Sequence, residues 1–195
     1  GKTALITGAG SGIGKGIAEI FAEQNCTVIV TDLDEDSAKE VATRIAGTKA
    51  LAFQLDVGDP LSVDRTISHV LTELSSIDIL VNNAGIRIVP RSETGELLSV
   101  DQEEDWATPL NVNLQGTVRC CNAIVPHMRE REFGKIINIA SIAGHSSRRI
   151  GGAYSVSKAA VLRYTKGLAS DLAGDNINVN AICPGGLWTS FQETG

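Results

Sequence analysis

The sequence predicts an α/β fold in which a doubly wound parallel sheet lies between two layers of helices. Short segments rich in Val, Ile and Leu alternate with helical segments along all 195 residues. Several of these short segments are apolar almost throughout, as is typical of parallel strands covered on both faces. Strands that alternate with helices form a parallel sheet with right-handed crossovers. Because no linker or repeat interrupts the pattern, we expect one domain over residues 1–195.

Six segments are predicted strands: residues 3–7, 27–32, 50–56, 79–82, 135–140 and 178–183. The segment after the first strand has helical spacing, because Ile13, Ile17, Ile20 and Phe21 form one apolar stripe. Further helices are predicted over residues 37–46, 61–75, 104–128 and 155–173.

Bulk composition excludes several classes of protein. No apolar run approaches the roughly 18 residues of a membrane span, and a net charge of −6 argues against a nucleic-acid surface. The cysteines at 26, 120, 121 and 183 lack CxxC or metal-ligand spacing, so we expect free thiols and a reducing, cytoplasmic location. Residues 1–8 already read as a strand and its turn, so we expect no signal peptide.

A glycine-rich turn directly follows the first predicted strand, where residues 7–14 read TGAGSGIG. Glycines let a backbone turn tightly and approach a pyrophosphate, and a helix N-terminus offers free N–H groups to the anion. Glycine-rich strings also make ordinary turns. Here a strand precedes the string and a helix follows it, which favours dinucleotide binding.

Asp32 ends the second predicted strand, 18 residues beyond Gly14. A carboxylate there can accept hydrogen bonds from a ribose diol and would repel a 2′-phosphate, for which the adjacent Leu33 supplies no compensating charge. The alternative is a helix cap among Asp34, Glu35 and Asp36. We expect NAD rather than NADP.

Tyr154 and Lys158 are four residues apart, so on a helix they share one face. A free phenol is a poor base at neutral pH, and a nearby ammonium stabilises the phenolate. The pair can therefore act in proton transfer. A surface pair on a helix is the alternative.

These motifs occur in order with Asn82-Asn83-Ala84-Gly85, Asn113, Ser141 and Pro184-Gly185. Together they resemble the short-chain dehydrogenase/reductase family over essentially the whole chain. The resemblance implies a Rossmann fold with strand order 3-2-1-4-5-6, and an oxidoreductase that transfers hydride between NAD and a secondary alcohol or ketone. It implies no metal, and the scattered histidines predict none.

The resemblance also implies the catalytic roles. Tyr154 exchanges a proton with the substrate oxygen, Lys158 assists it and binds the nicotinamide ribose, and Ser141 orients the substrate oxygen. Asn113, rather than the nearby Asn111, holds a water that links Lys158 to solvent.

Cofactor contacts are implied in five groups. They are Gly8, Ser11, Gly12, Ile13 and Gly14 at the pyrophosphate; Asp32 and Leu33 at the adenosine ribose; Asp56 and Val57 at adenine; Asn83, Ala84 and Gly85 beneath the cofactor; and Tyr154, Lys158, Pro184, Gly185 and Thr189 at the nicotinamide end.

Substrate contacts are expected from side chains in three loops: Arg87, His145, Arg148, Arg149, Leu187 and Trp188. Three arginines can bind a carboxylate, phosphate or sulfonate through charge-assisted contacts. We therefore expect a small anionic alcohol or its ketone. The alternative is that these arginines are solvated or pair with acids across a subunit interface.

Two other functions remain open. A 3-oxoacyl-carrier-protein reductase has the same chemistry but generally uses NADP, against which Asp32 counts. A non-catalytic nucleotide-binding protein often lacks the tyrosine or lysine, and both are present here. Family members continue past Pro-Gly-x-x-x-Thr into a substrate lid and a last edge strand, so we expect a longer natural chain. They commonly form dimers or tetramers through the helices predicted at 104–128 and 155–173.

Overall fold

The computed structural model describes residues 1–45, 49–88, 103–146 and 152–186. Among the predicted site residues, Arg148, Arg149, Leu187, Trp188 and Thr189 lie outside the described residues. The strands are β1 (Thr3–Thr7), β2 (Thr27–Asp32), β3 (Ala50–Gln54), β4 (Ile79–Asn82), β5 (Gly134–Ile139) and β6 (Ile177–Ile182). They form one parallel sheet in the order β3-β2-β1-β4-β5-β6. The predicted fold class and strand order are confirmed.

The described helices are α1 (Gly12–Glu23), α2 (Glu35–Arg44), α3 (Pro60–Leu74), α4 (Glu104–Pro109), α5 (Gly116–Glu130) and α6 (Gly152–Leu172). On one face of the sheet, Leu5 and Leu80 belong to a buried cluster with residues of α3, α5 and α6. On the other face, their chain neighbours Ile6 and Val81 pack with residues of α1 and α2. Burial on both faces explains why the strands are apolar almost throughout. None of the helices described has the length and hydropathy needed to cross a membrane.

The apolar stripe predicted for α1 is wrong at Ile20, which is 57% exposed. The buried line of this helix consists of Gly14, Ala18 and Ala22. Small residues at this spacing let α1 approach the sheet closely, and the larger Ile17 and Phe21 pack beside that line.

The single helix predicted over residues 104–128 is interrupted. Between α4 and α5 the chain forms a π-helical turn, Leu110–Gln115, directly after Pro109. Proline has no N–H for the i−4 carbonyl, so regular α-helical hydrogen bonding is already broken at this point. The predicted third strand is likewise two residues too long, because Asp56 accepts a hydrogen bond from the N–H of Gly58 and turns the chain.

Candidate active site

A cleft of about 650 Å³ opens where the chain leaves the carboxyl ends of the strands. In a doubly wound sheet this edge is where ligands bind, at the point where the strand order reverses. Most of the predicted cofactor and catalytic residues that the structure describes line this cleft: Gly8, Ser11, Gly12, Ile13, Asp32, Leu33, Asp56, Val57, Asn83, Ala84, Gly85, Ser141, Tyr154, Lys158, Pro184 and Gly185.

The turn between β1 and α1 requires glycine at defined positions. Gly8 and Gly12 have φ of +62° and +53°, a region that side chains of L-residues rarely adopt. Gly14 has an ordinary φ, but a Cβ there would lie 2.3 Å from the Gly8 carbonyl oxygen and 2.5 Å from Nδ2 of Asn83. Gly14 therefore lies behind the cleft, where it lets the first turn of α1 pack on the glycine loop.

Asp32 is fixed by the backbone of that glycine turn. Its carboxylate accepts hydrogen bonds from the N–H of Gly10 at 2.8 Å and of Asp34 at 3.1 Å. The N-cap of α2 is Asp34, which accepts from the N–H groups of Asp36 and Ser37. A helix cap among Asp34, Glu35 and Asp36 is thus present, at Asp34, and Asp32 does not cap the helix. Its carboxylate lines the cleft instead.

Thr7 and Asn83 join the ends of β1 and β4. The hydroxyl of Thr7 accepts hydrogen bonds from the N–H groups of Asn83 and Ala84, both at 3.0 Å. Nδ2 of Asn83 donates to the carbonyls of Thr7 and Gly8 at 2.9 and 2.8 Å. The Asn-Asn-Ala-Gly segment thus stabilises the sheet edge and also lines the cleft. Sequence reasoning missed the part played by Thr7.

Tyr154 and Lys158 lie on one face of α6 and are nearly fully buried, at 8% and 4% exposure. The ammonium of Lys158 lies 5.9 Å from the centroid of the Tyr154 ring and donates a 2.8 Å hydrogen bond to the Ile139 carbonyl. Burial lowers the pKa of Lys158 to about 8, because a low dielectric disfavours the charged form. The alternative of a surface pair is wrong.

Ser141 begins the 3₁₀ turn Ile142–Gly144, and its hydroxyl accepts a hydrogen bond from the N–H of Ala143 at 3.1 Å. This turn packs directly on α6, since a Cβ at Gly144 would lie 2.9 Å from the Lys158 carbonyl carbon. The close backbone approach brings the serine to the same cleft as Tyr154 and Lys158.

Asn113 lies in the π-helical turn and is fully buried behind the cleft. Its Oδ1 accepts from the N–H of Ile86 at 2.8 Å, and its Nδ2 donates to the Ile86 carbonyl and the Ser157 hydroxyl, both at 2.9 Å. A Cβ at Gly85 would meet Oδ1 of Asn113 at 3.1 Å and Nζ of Lys158 at 3.3 Å. Asn113 therefore lies close to the ammonium. Its expected water relay stays a prediction.

Asn111 and Arg119 form a second connection that sequence reasoning missed. Arg119 donates to the Val57 carbonyl at 3.1 Å and to Oδ1 of Asn111 at 2.9 Å. Nδ2 of Asn111 donates to the Gly58 carbonyl at 3.2 Å. The turn that carries Asn113 thus also holds the loop after β3, which lines the opposite end of the cleft. No local pattern signals these contacts.

The predicted substrate residues divide into three groups. Arg87 lines the cleft, whereas His145 is exposed and is not among the residues that line it. Arg148, Arg149 and Trp188 are outside the described part of the chain. Within the described residues, no cluster of His, Cys, Asp and Glu has the arrangement of a metal site.

Comparison with known proteins identifies the family. A family description, short chain dehydrogenase, matches residues 2–194. The chain belongs to the short-chain dehydrogenase/reductase family. It is thus, at the level of the family, an oxidoreductase of CH–OH or keto substrates that uses a nicotinamide cofactor.

Individual relatives differ in the reactions their names state. A 3-oxoacyl-[acyl-carrier-protein] reductase of Thermotoga maritima is 37% identical over 99% of this chain and 77% of its own. A diacetyl reductase, (S)-acetoin forming, of Staphylococcus epidermidis is 36% identical over 98% of this chain and 75% of its own. The crystal structure of a short-chain type dehydrogenase/reductase from Mycobacterium marinum matches with a TM-score of 0.91 and 36% identity, covering 99% of this chain and 76% of that one.

Proposed function

We propose that this protein is an NAD-dependent dehydrogenase or ketone reductase that interconverts a secondary alcohol and its ketone, with an anionic group on the substrate. The observation that carries the proposal is the buried Tyr154–Lys158 pair in the cleft that begins at the glycine turn. Burial of an ammonium costs free energy, and stability alone gives no reason for placing one beside a phenol in a cleft.

The residues present fit a nicotinamide dinucleotide. The turn that bends through positive φ at Gly8 and Gly12 leads directly into the N-terminus of α1, which is suited to a pyrophosphate. Asp32 is the last residue of β2, whereas Ser141 follows β5, three strands along the sheet. Strands are about 4.8 Å apart, so the cleft extends roughly 14 Å between these residues. Asp32 and Leu33 would hold the adenosine ribose, Asp56 and Val57 adenine, and Asn83 to Gly85 with Pro184, Gly185 and Thr189 the nicotinamide half.

The bound cofactor would supply hydride chemistry, and the protein manages one proton and the orientation of the substrate. Tyr154 takes the hydroxyl proton during oxidation and returns a proton to the carbonyl oxygen during reduction. Lys158, with a pKa of about 8, is mostly protonated at pH 7 and favours negative charge on the phenol oxygen. Ser141 orients the substrate oxygen, and Asn113 supports the proton path beside Lys158.

Asp32 supports NAD over NADP, because its fixed carboxylate lies in the cleft and would repel a 2′-phosphate. The Thermotoga maritima relative favours a second candidate, a 3-oxoacyl-carrier-protein reductase. A non-catalytic role is the least favoured, since Asn113, Ser141, Tyr154 and Lys158 are all present around one cleft.

The cofactor and catalytic residues would belong to one domain over residues 1–195, acting as a homodimer or homotetramer. Four free cysteines support a reducing, cytoplasmic location.

The test is a screen of turnover at 340 nm with NAD⁺ and NADP⁺ against neutral and anionic secondary alcohols, and with NADH and NADPH against 3-oxoacyl thioesters. We expect oxidation with NAD⁺ at least tenfold more efficient than with NADP⁺, and Asp32→Ala should reduce this preference. A preference for NADPH with a thioester would favour the reductase. No turnover and no dinucleotide binding would refute both.

A further inference from the structure

Arg87 is a cation in the active-site cleft without a described partner. It follows Asn-Asn-Ala-Gly by two positions, is half-buried and lines the cleft. Its Nε is buried and has no hydrogen-bond partner among the described residues. An unpaired buried N–H group costs free energy, so such groups in native proteins are usually satisfied by water or a ligand.

The backbone beside Arg87 is held firmly. Asn113 binds both the N–H and the carbonyl of Ile86, at 2.8 and 2.9 Å. Because this asparagine is fully buried and also bonds Ser157 of α6, the residue preceding Arg87 is fixed relative to Tyr154 and Lys158. The guanidinium therefore projects from a rigid support, which suits recognition of a defined group.

Charge along the cleft is unevenly distributed. Two carboxylates are among its described lining residues: Asp32, at the end of β2, and Asp56, which follows β3. Arg87 follows β4, and Lys158 contacts the carbonyl of Ile139 at the end of β5. At about 4.8 Å per strand, Asp32 is roughly 10 Å from the end of β4. The end of the cleft that holds the phenol thus carries two cations, and no acid lines it within the described ranges.

We propose that Arg87 binds a carboxylate or phosphate of the substrate, and so selects anionic alcohols and ketones over neutral ones. The inference rests on the proposed function. A guanidinium presents paired N–H donors that match two oxyanion oxygens, and one oxyanion can accept from Nε and a terminal nitrogen together. The oxyanion could come from either of two sources, the substrate or the dinucleotide's own pyrophosphate. We assign it to the substrate, because the pyrophosphate has its own site at the glycine turn.

The experiment compares 2-hydroxypropanoate, 3-hydroxybutanoate and 4-hydroxypentanoate with their methyl esters, using intact wild-type, Arg87→Gln and Arg87→Lys proteins. Each pair shares one carbinol and differs in charge. We expect Arg87→Gln to lower kcat/KM for the best carboxylate by about 10- to 100-fold, the loss expected for a charge-assisted contact. The kcat/KM for the methyl ester of that carboxylate, and the KM for NAD⁺, should each change by less than about threefold. Arg87→Lys should retain part of the preference, because it keeps the charge but loses the paired donors.

Arg65→Gln is the matched control, since Arg65 lies on the exposed surface of α3 and contacts only the Leu61 carbonyl in the described structure. Equal losses for acid and ester would overturn the proposal and assign Arg87 a structural part. A raised KM for NAD⁺ with every substrate would assign the oxyanion to the dinucleotide instead. Oxidation of neutral alcohols without any carboxylate preference would overturn the anionic substrate while leaving the proposed function intact. Failure of the wild-type protein to oxidise any of these alcohols would refute the proposed function itself.

Discussion

Replacement of Lys158 by methionine should stabilise the protein while it abolishes turnover. Burial lowers the pKa of Lys158 from 10.5 to about 8. A tenfold change in proton affinity corresponds to about 1.4 kcal/mol, so keeping the buried ammonium charged costs about 3 kcal/mol at pH 7. Methionine keeps an unbranched chain and removes this cost. It also removes the hydrogen bond to the Ile139 carbonyl, at about 1–2 kcal/mol. The expected net gain is about 1–2 kcal/mol.

The pH dependence of unfolding isolates the ammonium. The unfolded lysine stays protonated up to about pH 10.5, whereas the folded one releases its proton near pH 8. Between these values the unfolded state holds more protons, so wild-type stability rises with pH. The cost is fully present below pH 8 and disappears above pH 10.5. About 2 kcal/mol of it should be relieved between pH 7 and pH 9.5, and Lys158→Met should lack this component.

The assay is urea unfolding of both proteins at pH 7.0 and 9.5, followed by far-UV circular dichroism, with turnover measured at 340 nm. The stability of the variant relative to the wild type should fall by about 2 kcal/mol between these pH values, so that its advantage disappears or is slightly reversed at pH 9.5. Lys166→Met, on the exposed face of α6, should show no such change. A Lys158→Met protein that is less stable than the wild type by the same amount at both pH values would refute the claim that the buried ammonium costs stability.

Two further substitutions test the supports of the cleft. Gly14→Ala places a Cβ 2.3 Å from the Gly8 carbonyl oxygen and should cost about 1–3 kcal/mol of stability together with a raised Kd for NAD⁺. A Cβ at Gly16 in the same helix would meet nothing within 4 Å, so Gly16→Ala should leave stability unchanged or raise it by up to about 1 kcal/mol. Equal losses of stability for the two variants in denaturant titrations would contradict the close contact of Gly14. Arg119→Met removes the hydrogen-bond donors to Val57 and Asn111. The KM for NAD⁺ should therefore rise severalfold, while the KM for the alcohol stays within about twofold of wild type. A lower melting temperature without a change in the KM for NAD⁺ would show that Arg119 has only a structural role.

Local patterns predicted the framework of the fold. The strands follow from apolar segments bounded by turn residues, because parallel strands buried on both faces are apolar almost throughout. Their order in the sheet came from the family resemblance. The first turn of α1 was predictable for a similar reason, since positive φ at Gly8 and Gly12 is a local requirement. Family resemblance supplied Asn113, Ser141 and the roles of Tyr154 and Lys158, which spacing alone leaves open.

Long-range contacts account for what was missed. The π-helical turn positions Asn113 against Ile86 and Ser157, which are 27 and 44 residues away in sequence. Likewise, Arg119 reaches Val57 across 62 residues. Helical periodicity contains no information on such pairs. The sequence therefore predicts one continuous helix over residues 104–128 and assigns no role to Asn111.

The most direct test of the central claim is Tyr154→Phe, with both NAD⁺ binding and turnover measured on the intact protein. Tyr164→Phe is the matched control, because the protein's other tyrosine lies on the same helix and packs against the core. Loss of a general acid/base predicts a kcat lower by about 10²- to 10⁴-fold, with the Kd for NAD⁺ within about twofold of wild type and Tyr164→Phe fully active. A Tyr154→Phe protein that turns over at the wild-type rate would contradict proton exchange by this phenol.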